Sequence, residues 1–170
     1  PDTYEFYVGM QASSAINKML DNFNRKITED MQARLDELGM SLREVINVAS
    51  LIEKEAANDS ERPVIASVIY NRLNYDTPLG IDAAVLYPYP EHEGAPTAEM
   101  LAKDDPYNTR IKLGLPPTPI SNPGIASINA ALWPDATDYF YYALDTATGT
   151  HQFFTNEGDF NSFVATQDYE

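Results

Sequence analysis

The chain has 170 residues, 44% of them hydrophobic, with no cysteine and a formal net charge of −15 at neutral pH. This length suits one globular domain with a substantial core. The acidic balance argues against nucleic acid as a partner, because that binding depends on lysine and arginine displacing counterions from phosphates. The lack of cysteine excludes disulfides and thiolate metal sites. No stretch approaches the roughly 18 apolar residues of a membrane span.

The first predicted element is one long amphipathic helix from Ala12 to Leu38. Its apolar residues recur at spacings of three and four, which is the period of one helix face. Gly39 is placed to end this helix. Ser41 and Glu44 then form a capping-box pattern, which predicts the start of a second helix. That second helix contains ASLIEKEA, residues 49–56.

The rest of the chain combines helices, proline-rich loops and one hairpin. A third helix, with Pro63 in its first turn, runs to Leu73. Asn122-Pro123 predicts the start of another helix, with asparagine as its cap. The other predicted elements are a turn of helix at Asp82 to Leu86, a helix at Thr97 to Lys103, a hairpin at 139–154 and a last helix at 156–167. The fold class is therefore α+β, dominated by helices, with a small antiparallel sheet or hairpin.

Glu53 and Glu55 lie in an otherwise mostly apolar central helix. With about 100° between successive residues, Glu55 falls inside the apolar arc, over Leu51 and Ile52. Glu53 falls at the flank of that arc. A carboxyl group pressed against aliphatic side chains loses hydration, and this raises its pKa. The pattern makes Glu55 the candidate proton donor, supported by Glu53, but helix propensity alone also explains both as ordinary helix residues.

The remaining polar residues give weaker patterns. His92 and His151 are far apart in the chain, so surface or packing roles are favoured over a metal site. There is no glycine-rich phosphate loop and no serine nucleophile elbow, so no cofactor or metal is predicted. Tyr107-Asn108-Thr109 combines a phenol, an amide and a hydroxyl on a predicted loop. These groups suit sugar binding, although a simple turn explains the same tripeptide.

Six motifs occur together in the order found in one known family. They are ASLIEKEA, SERP (60–63), YNRL (70–73), PYNT (106–109), GLPPTPISNPG (114–124) and the segment from Tyr141 to Phe153. On these motifs the chain resembles the MltG, or YceG-like, family of endolytic murein transglycosylases over nearly its whole length. The resemblance implies one catalytic domain over residues 1–170. It would be a piece of a longer chain, without the N-terminal membrane anchor and LysM-like region of the family.

The resemblance also implies a bacterial enzyme at the extracytoplasmic face of the cell membrane. Its substrate would be peptidoglycan glycan strands, cut between N-acetylmuramic acid and N-acetylglucosamine to leave 1,6-anhydro-N-acetylmuramic acid ends. Glu55 would act as general acid and then as general base. The implied substrate-binding residues are Asn71, Asp82, Tyr107, Asn108 and Thr109, with Glu53 beside Glu55. Proteins of the cell-wall synthesis machinery are candidate partners.

The chain departs from the family pattern at three positions. Gly80 stands where a glutamine is common, Arg110 where an aromatic residue is common, and Phe160 where a histidine is common. Two alternatives to the transglycosylase stay open. One is a non-catalytic peptidoglycan-binding or scaffold domain. The other is a hydrolytic muramidase, which would need a second carboxylate from Glu53 or Asp82.

Overall fold

The computed structural model describes residues 1–169. Within them the elements are helices α1 (Ala12–Lys26), α2 (Glu29–Leu38), α3 (Leu42–Glu55), α4 (Arg62–Asn74), α5 (Asp82–Leu86), α6 (Ala98–Ala102), α7 (Ile125–Leu132) and α8 (Glu157–Val164), and strands β1 (Tyr141–Asp145) and β2 (Thr150–Phe154). The two strands form an antiparallel hairpin between α7 and α8 in the chain. The predicted α+β class, dominated by helices with a small antiparallel sheet, is confirmed.

The predicted helix from Ala12 to Leu38 is in fact two helices. Ile27 is extended, with φ −83° and ψ 101°. The Thr28 hydroxyl accepts a hydrogen bond from the Met31 amide and caps α2. The prediction of one helix was wrong because a threonine cap can start a new helix without disturbing the apolar spacing on either side. Gly39, at φ +65°, ends α2 as expected.

Helix α3 is the centre of the core. Its apolar residues Val45, Val48, Leu51 and Ile52 are fully buried, and α4, α5 and α7 pack around it. Asn47 and Ser50 on its polar side are buried as well, because the loop 114–124 covers them. In that loop the Ile120 amide donates to Ser50 Oγ across 3.0 Å. Because α3 is packed on several sides, its last turn, which ends at Glu55, is held in place.

Helix α7 begins later than the sequence predicts, at Ile125 with Gly124 as its N-cap. The Gly124 amide and the Ser127 hydroxyl donate to the Glu53 carboxylate over 3.0 and 2.6 Å. A carboxylate at a helix N-terminus satisfies free amides and the helix dipole. The prediction of Asn122 as the cap was wrong because a side chain from α3, distant in sequence, takes that role.

The hairpin presents one face to the helical core. Tyr142 pairs with Phe153, and Leu144 pairs with His151. Since side chains alternate along a strand, these four residues share a face, and Tyr142 and Phe153 pack against the core. Across residues 1–169, no helix combines the length and apolar character needed to cross a membrane.

Candidate active site

A cavity of about 600 Å³ lies between the end of α3, the start of α5 and the hairpin. This volume is within the range of known ligand sites. Its lining contains the acidic residues Glu55 and Asp82 and the basic residues Arg72, Arg110 and His151. The rest of the lining is mainly aromatic, aliphatic or glycine: Leu79, Gly80, Tyr141, Tyr142, Ala143, Leu144, Phe160, Val164 and Tyr169.

Glu55, the last residue of α3, carries the buried carboxyl group of this cavity. The loss of hydration is the main cause that raises its pKa, and the negative charge of Asp82 raises it further. Tyr142 opposes this effect, because its hydroxyl donates to Glu55 Oε2 across 2.8 Å and favours the ionised form. His151 and Arg110 also lower the pKa of Glu55. The raised pKa keeps a proton on Glu55 to higher pH than on an ordinary glutamate, as a general acid requires.

Asp82, the first residue of α5, supplies the second carboxyl group. Arg110 donates to its Oδ1 through Nη2 at 2.6 Å and Nε at 2.8 Å. Both side chains are partly exposed, at 43% and 44%. The cavity therefore holds one desolvated carboxyl group and one carboxylate that is paired and in contact with water.

The loop before α5 is held by hydrogen bonds to its backbone. Arg72 donates to the carbonyl oxygens of Pro78 and Leu79, and it also binds the carbonyl of Phe140 before β1. Gly80 has φ +68°, and a Cβ there would lie 3.1 Å from Arg72 Nη1. A side chain at position 80 would therefore meet both backbone strain and a steric conflict.

Asp82 is the one predicted substrate-binding residue that the structure brings to the cavity beside Glu55. The other predicted residues form hydrogen bonds with backbone groups or with neighbouring elements of the fold. Glu53 binds the start of α7 and forms an ion pair with Arg62 at 3.3 Å. Asn71 Nδ2 donates to the carbonyls of Thr137 and Tyr139. They do not reach the cavity because their side chains already satisfy buried polar groups of the fold.

The Tyr107-Asn108-Thr109 segment is also placed behind the cavity wall. Asn108 Nδ2 donates to three carbonyls at the end of α6, those of Met100, Leu101 and Lys103. Thr109 Oγ1 accepts from the Ile81 amide and donates to its carbonyl. The Tyr107 hydroxyl forms a hydrogen bond with Thr118. This segment therefore fixes the residue before Asp82 instead of lining the cavity.

Among the lining residues that the sequence patterns missed are Tyr142, His151, Arg72 and Arg110. A signal existed for the first two, since strand alternation places Tyr142 and His151 on one face of the predicted hairpin. None existed for the arginines, whose positions depend on loop packing. The three departures noted from the family pattern, Gly80, Arg110 and Phe160, all line the cavity.

A second cavity, of about 240 Å³, lies against α1. Its lining is mostly apolar and contains no carboxyl side chain, so it offers no second candidate for an acid of the kind that Glu55 provides. Among residues 1–169 no three histidine, aspartate or glutamate side chains are grouped so that they could hold a metal ion.

The fold and the cavity together define a helix-rich α+β protein with a desolvated glutamate in a ligand-sized site. The model of the YceG-like family matches residues 1–166. A crystal structure of a yceG-like protein from Listeria monocytogenes has a TM-score of 0.88 and 38% identity, covering 96% of this chain and 53% of that one. The chain belongs to the YceG-like family.

Two relatives are named endolytic murein transglycosylase. The chain is 38% identical to the one from Bacillus subtilis (strain 168) over 142 residues, which are 84% of this chain and 39% of that protein. It is 30% identical to one from Streptococcus pneumoniae serotype 2 over 170 residues, 97% of this chain and 31% of that protein. The chain thus spans about a third of the length of these relatives.

We expect Tyr142→Phe to raise the pKa of Glu55 further. The substitution removes a hydrogen bond that favours the ionised carboxylate, and it leaves the ring that excludes water. The pKa is measured by NMR titration of carbon-13-labelled glutamate carboxyl groups, with Glu55→Gln to assign the signal. An unchanged or lower pKa in Tyr142→Phe would contradict this account of the Glu55 environment.

We expect Glu53→Gln to destabilise the fold by about 1–3 kcal/mol at neutral pH, since bonds to a charged group are lost or weakened. Burial alone would raise the pKa of Glu53, but hydrogen bonds from Ser127 and Gly124, with the charge of Arg62, lower it below 4.5. The stabilisation is therefore complete above that value and is lost as the pH falls through the lowered pKa. Urea unfolding across this range checks both points, with Lys54→Gln as the exposed control.

Proposed function

We propose that this domain is an endolytic lytic transglycosylase of peptidoglycan. Residues 1–170 act in this proposal as one catalytic domain. The observation that carries it is Glu55, a partly buried glutamate with a raised pKa, in a cavity large enough for sugar rings. The names of the Bacillus and Streptococcus relatives support the same reaction and a glycan-strand substrate.

In the first step, protonated Glu55 gives its proton to the oxygen of the bond between N-acetylmuramic acid and N-acetylglucosamine. The bond from C1 of the muramyl sugar to this oxygen breaks, and positive charge develops on that sugar ring. The Glu55 carboxylate formed in this step is stabilised by the Tyr142 hydroxyl, which donates to its Oε2. In this proposal Tyr142 therefore holds the Glu55 carboxyl group in place and stabilises its ionised form.

In the second step, the C6 hydroxyl of the same muramyl sugar bonds to C1, and Glu55 takes the hydroxyl proton. The product end is a 1,6-anhydro ring, and Glu55 is again protonated, so the proton count closes without added water. One carboxyl group serves as acid and base in turn. Because the nucleophile is part of the substrate, no second carboxylate is required to activate water.

The cavity walls suit a sugar ligand. Tyr141, Phe160 and Tyr169 provide aromatic surface, which packs against the apolar faces of pyranose rings. Asp82 and Arg110 provide charged hydrogen-bonding groups at the same site. In this proposal the enzyme works at the extracytoplasmic face of the bacterial cell membrane, and proteins that build the cell wall are its partners.

The test is the mass of the products formed from uncross-linked glycan strands. We expect the wild type to release fragments with 1,6-anhydro-N-acetylmuramic acid ends. Glu55→Gln should lower the rate at least about a hundredfold, because it removes the transferable proton. Glu91→Gln, at an exposed glutamate of the 87–97 loop, is the matched control and should keep full activity. Intact strands with the wild type would instead favour a binding or scaffold domain.

A hydrolytic muramidase is the second candidate, and one observation favours it. Asp82 lines the same cavity as Glu55, and its charge acts on the pKa of Glu55. A carboxylate so placed could activate a water molecule or attack C1, as the second carboxylate of a glycosidase does.

Asp82→Asn distinguishes the two reactions. If Asp82 acts on water or C1, the wild type forms reducing ends and the variant loses at least about a hundredfold in rate. If the reaction is a transglycosylation, anhydro ends form in both proteins. The variant then shows a lower pKa for Glu55, because a negative charge near it is gone. The masses of the ends and the pH dependence of the rate provide the two measurements.

A further inference from the structure

Glu61 and His151 form a buried pair beside the cavity. His151 Nδ1 lies 2.8 Å from Glu61 Oε2, and the two side chains are exposed by only 11% and 8%. The His151 backbone amide donates to the other oxygen, Oε1, at 2.9 Å. Glu61 precedes α4 and His151 lies on β2, so the pair joins two elements far apart in the sequence.

The surroundings of Glu61 set the orientation of the imidazole ring. Burial alone would raise the pKa of Glu61, but the hydrogen bonds from the His151 ring, the His151 amide and the Ala57 amide lower it. An ionised carboxylate only accepts hydrogen bonds, so Nδ1 must carry a hydrogen. Nε2 then accepts a hydrogen bond in the neutral ring and donates one in the charged ring.

Nε2 is available to a ligand. His151 lines the same cavity as Glu55, and Nε2 forms no hydrogen bond with any group in residues 1–169. Nor is it among the buried polar atoms without a partner in that range. The ring also contacts Tyr142 edge to face, with 5.3 Å between the ring centres, and Tyr142 donates to Glu55.

We propose that His151 contacts the substrate: Glu61 holds Nδ1–H, and Nε2 forms a hydrogen bond with a hydroxyl group of the glycan bound beside Glu55. This role depends on the proposed function for the identity of the ligand. Glu61 is a positioning residue that fixes the tautomer and the ring orientation, as carboxylates do for other functional histidines.

The test measures, by calorimetry, the binding of a peptide-free oligosaccharide of alternating N-acetylglucosamine and N-acetylmuramic acid. The proteins compared all carry Glu55→Gln, so that the ligand is not cleaved, and they differ at position 151. His151→Asn places an amide where Nδ1 was, so it can still donate to Glu61, but it has no atom at the position of Nε2. We expect it to fold normally and to bind about three- to tenfold more weakly, the effect of one lost hydrogen bond. With Glu55 intact, KM should rise with little change in kcat.

His92→Asn is the matched control. His92 is the other histidine of the chain, lies outside the cavity lining and forms its ring contact with the Ala95 carbonyl. An affinity of His151→Asn equal to that of His92→Asn would overturn the proposal. If His151→Asn does not fold, His151→Gln and His151→Ala are compared. Glutamine can present an oxygen near the Nε2 position, so equal affinities of these two would also overturn it.

The two proposals fail in different ways. Turnover by the wild type, with binding and KM unaffected by His151→Asn, would remove the role of His151 and leave the transglycosylase function intact. If the wild type shows no turnover but binding depends on His151, the transglycosylase proposal is overturned and the contact between His151 and the oligosaccharide stands. A Glu55→Gln protein that binds no oligosaccharide would overturn the proposal for His151.

Discussion

The burial of α3 is the constraint on which the cavity depends. Its apolar face packs against α4, α5 and α7, and the loop 114–124 covers Asn47 and Ser50 on its polar side. Residues two apart on a helix project about 200° apart, so Glu53 and Glu55 leave this fixed axis in nearly opposite directions. Glu53 binds the start of α7, and Glu55 faces the cavity. One helix therefore supplies both a structural carboxylate and a desolvated one.

The cavity wall is built from polar side chains that bind backbone groups. Arg72 and Thr109 satisfy carbonyls and an amide in the loop before α5, and Asn108 satisfies carbonyls at the end of α6. Buried backbone groups without partners are costly, so such residues are required for these loops to stay ordered. The loops in turn fix Asp82. This explains why Asn108 and Thr109, which have the right chemistry for sugars, lie outside the cavity lining.

Local charge in the cavity differs from the charge of the whole molecule. The chain carries a net charge of −15, yet Arg72, Arg110 and His151 lie in the cavity with Glu55 and Asp82. Arg110 and His151 limit the rise in the pKa of Glu55 that burial and Asp82 cause. The pKa of Glu55 is thus set by burial and by groups from α5, the 105–119 loop and the hairpin together.

The sequence by itself determined the fold class, the capping box at α3, the hairpin and the place of Glu55 on the apolar arc of α3, because these depend on periodicity and neighbours in the chain. The break at Thr28 was missed, since the apolar spacing continues across it. Only the tertiary structure decided which polar residues reach the cavity. Tyr142, His151 and Arg72 act on partners far away in the chain. Local sequence patterns do not show which residues far apart in the chain come into contact. The packing around α3 determines these contacts.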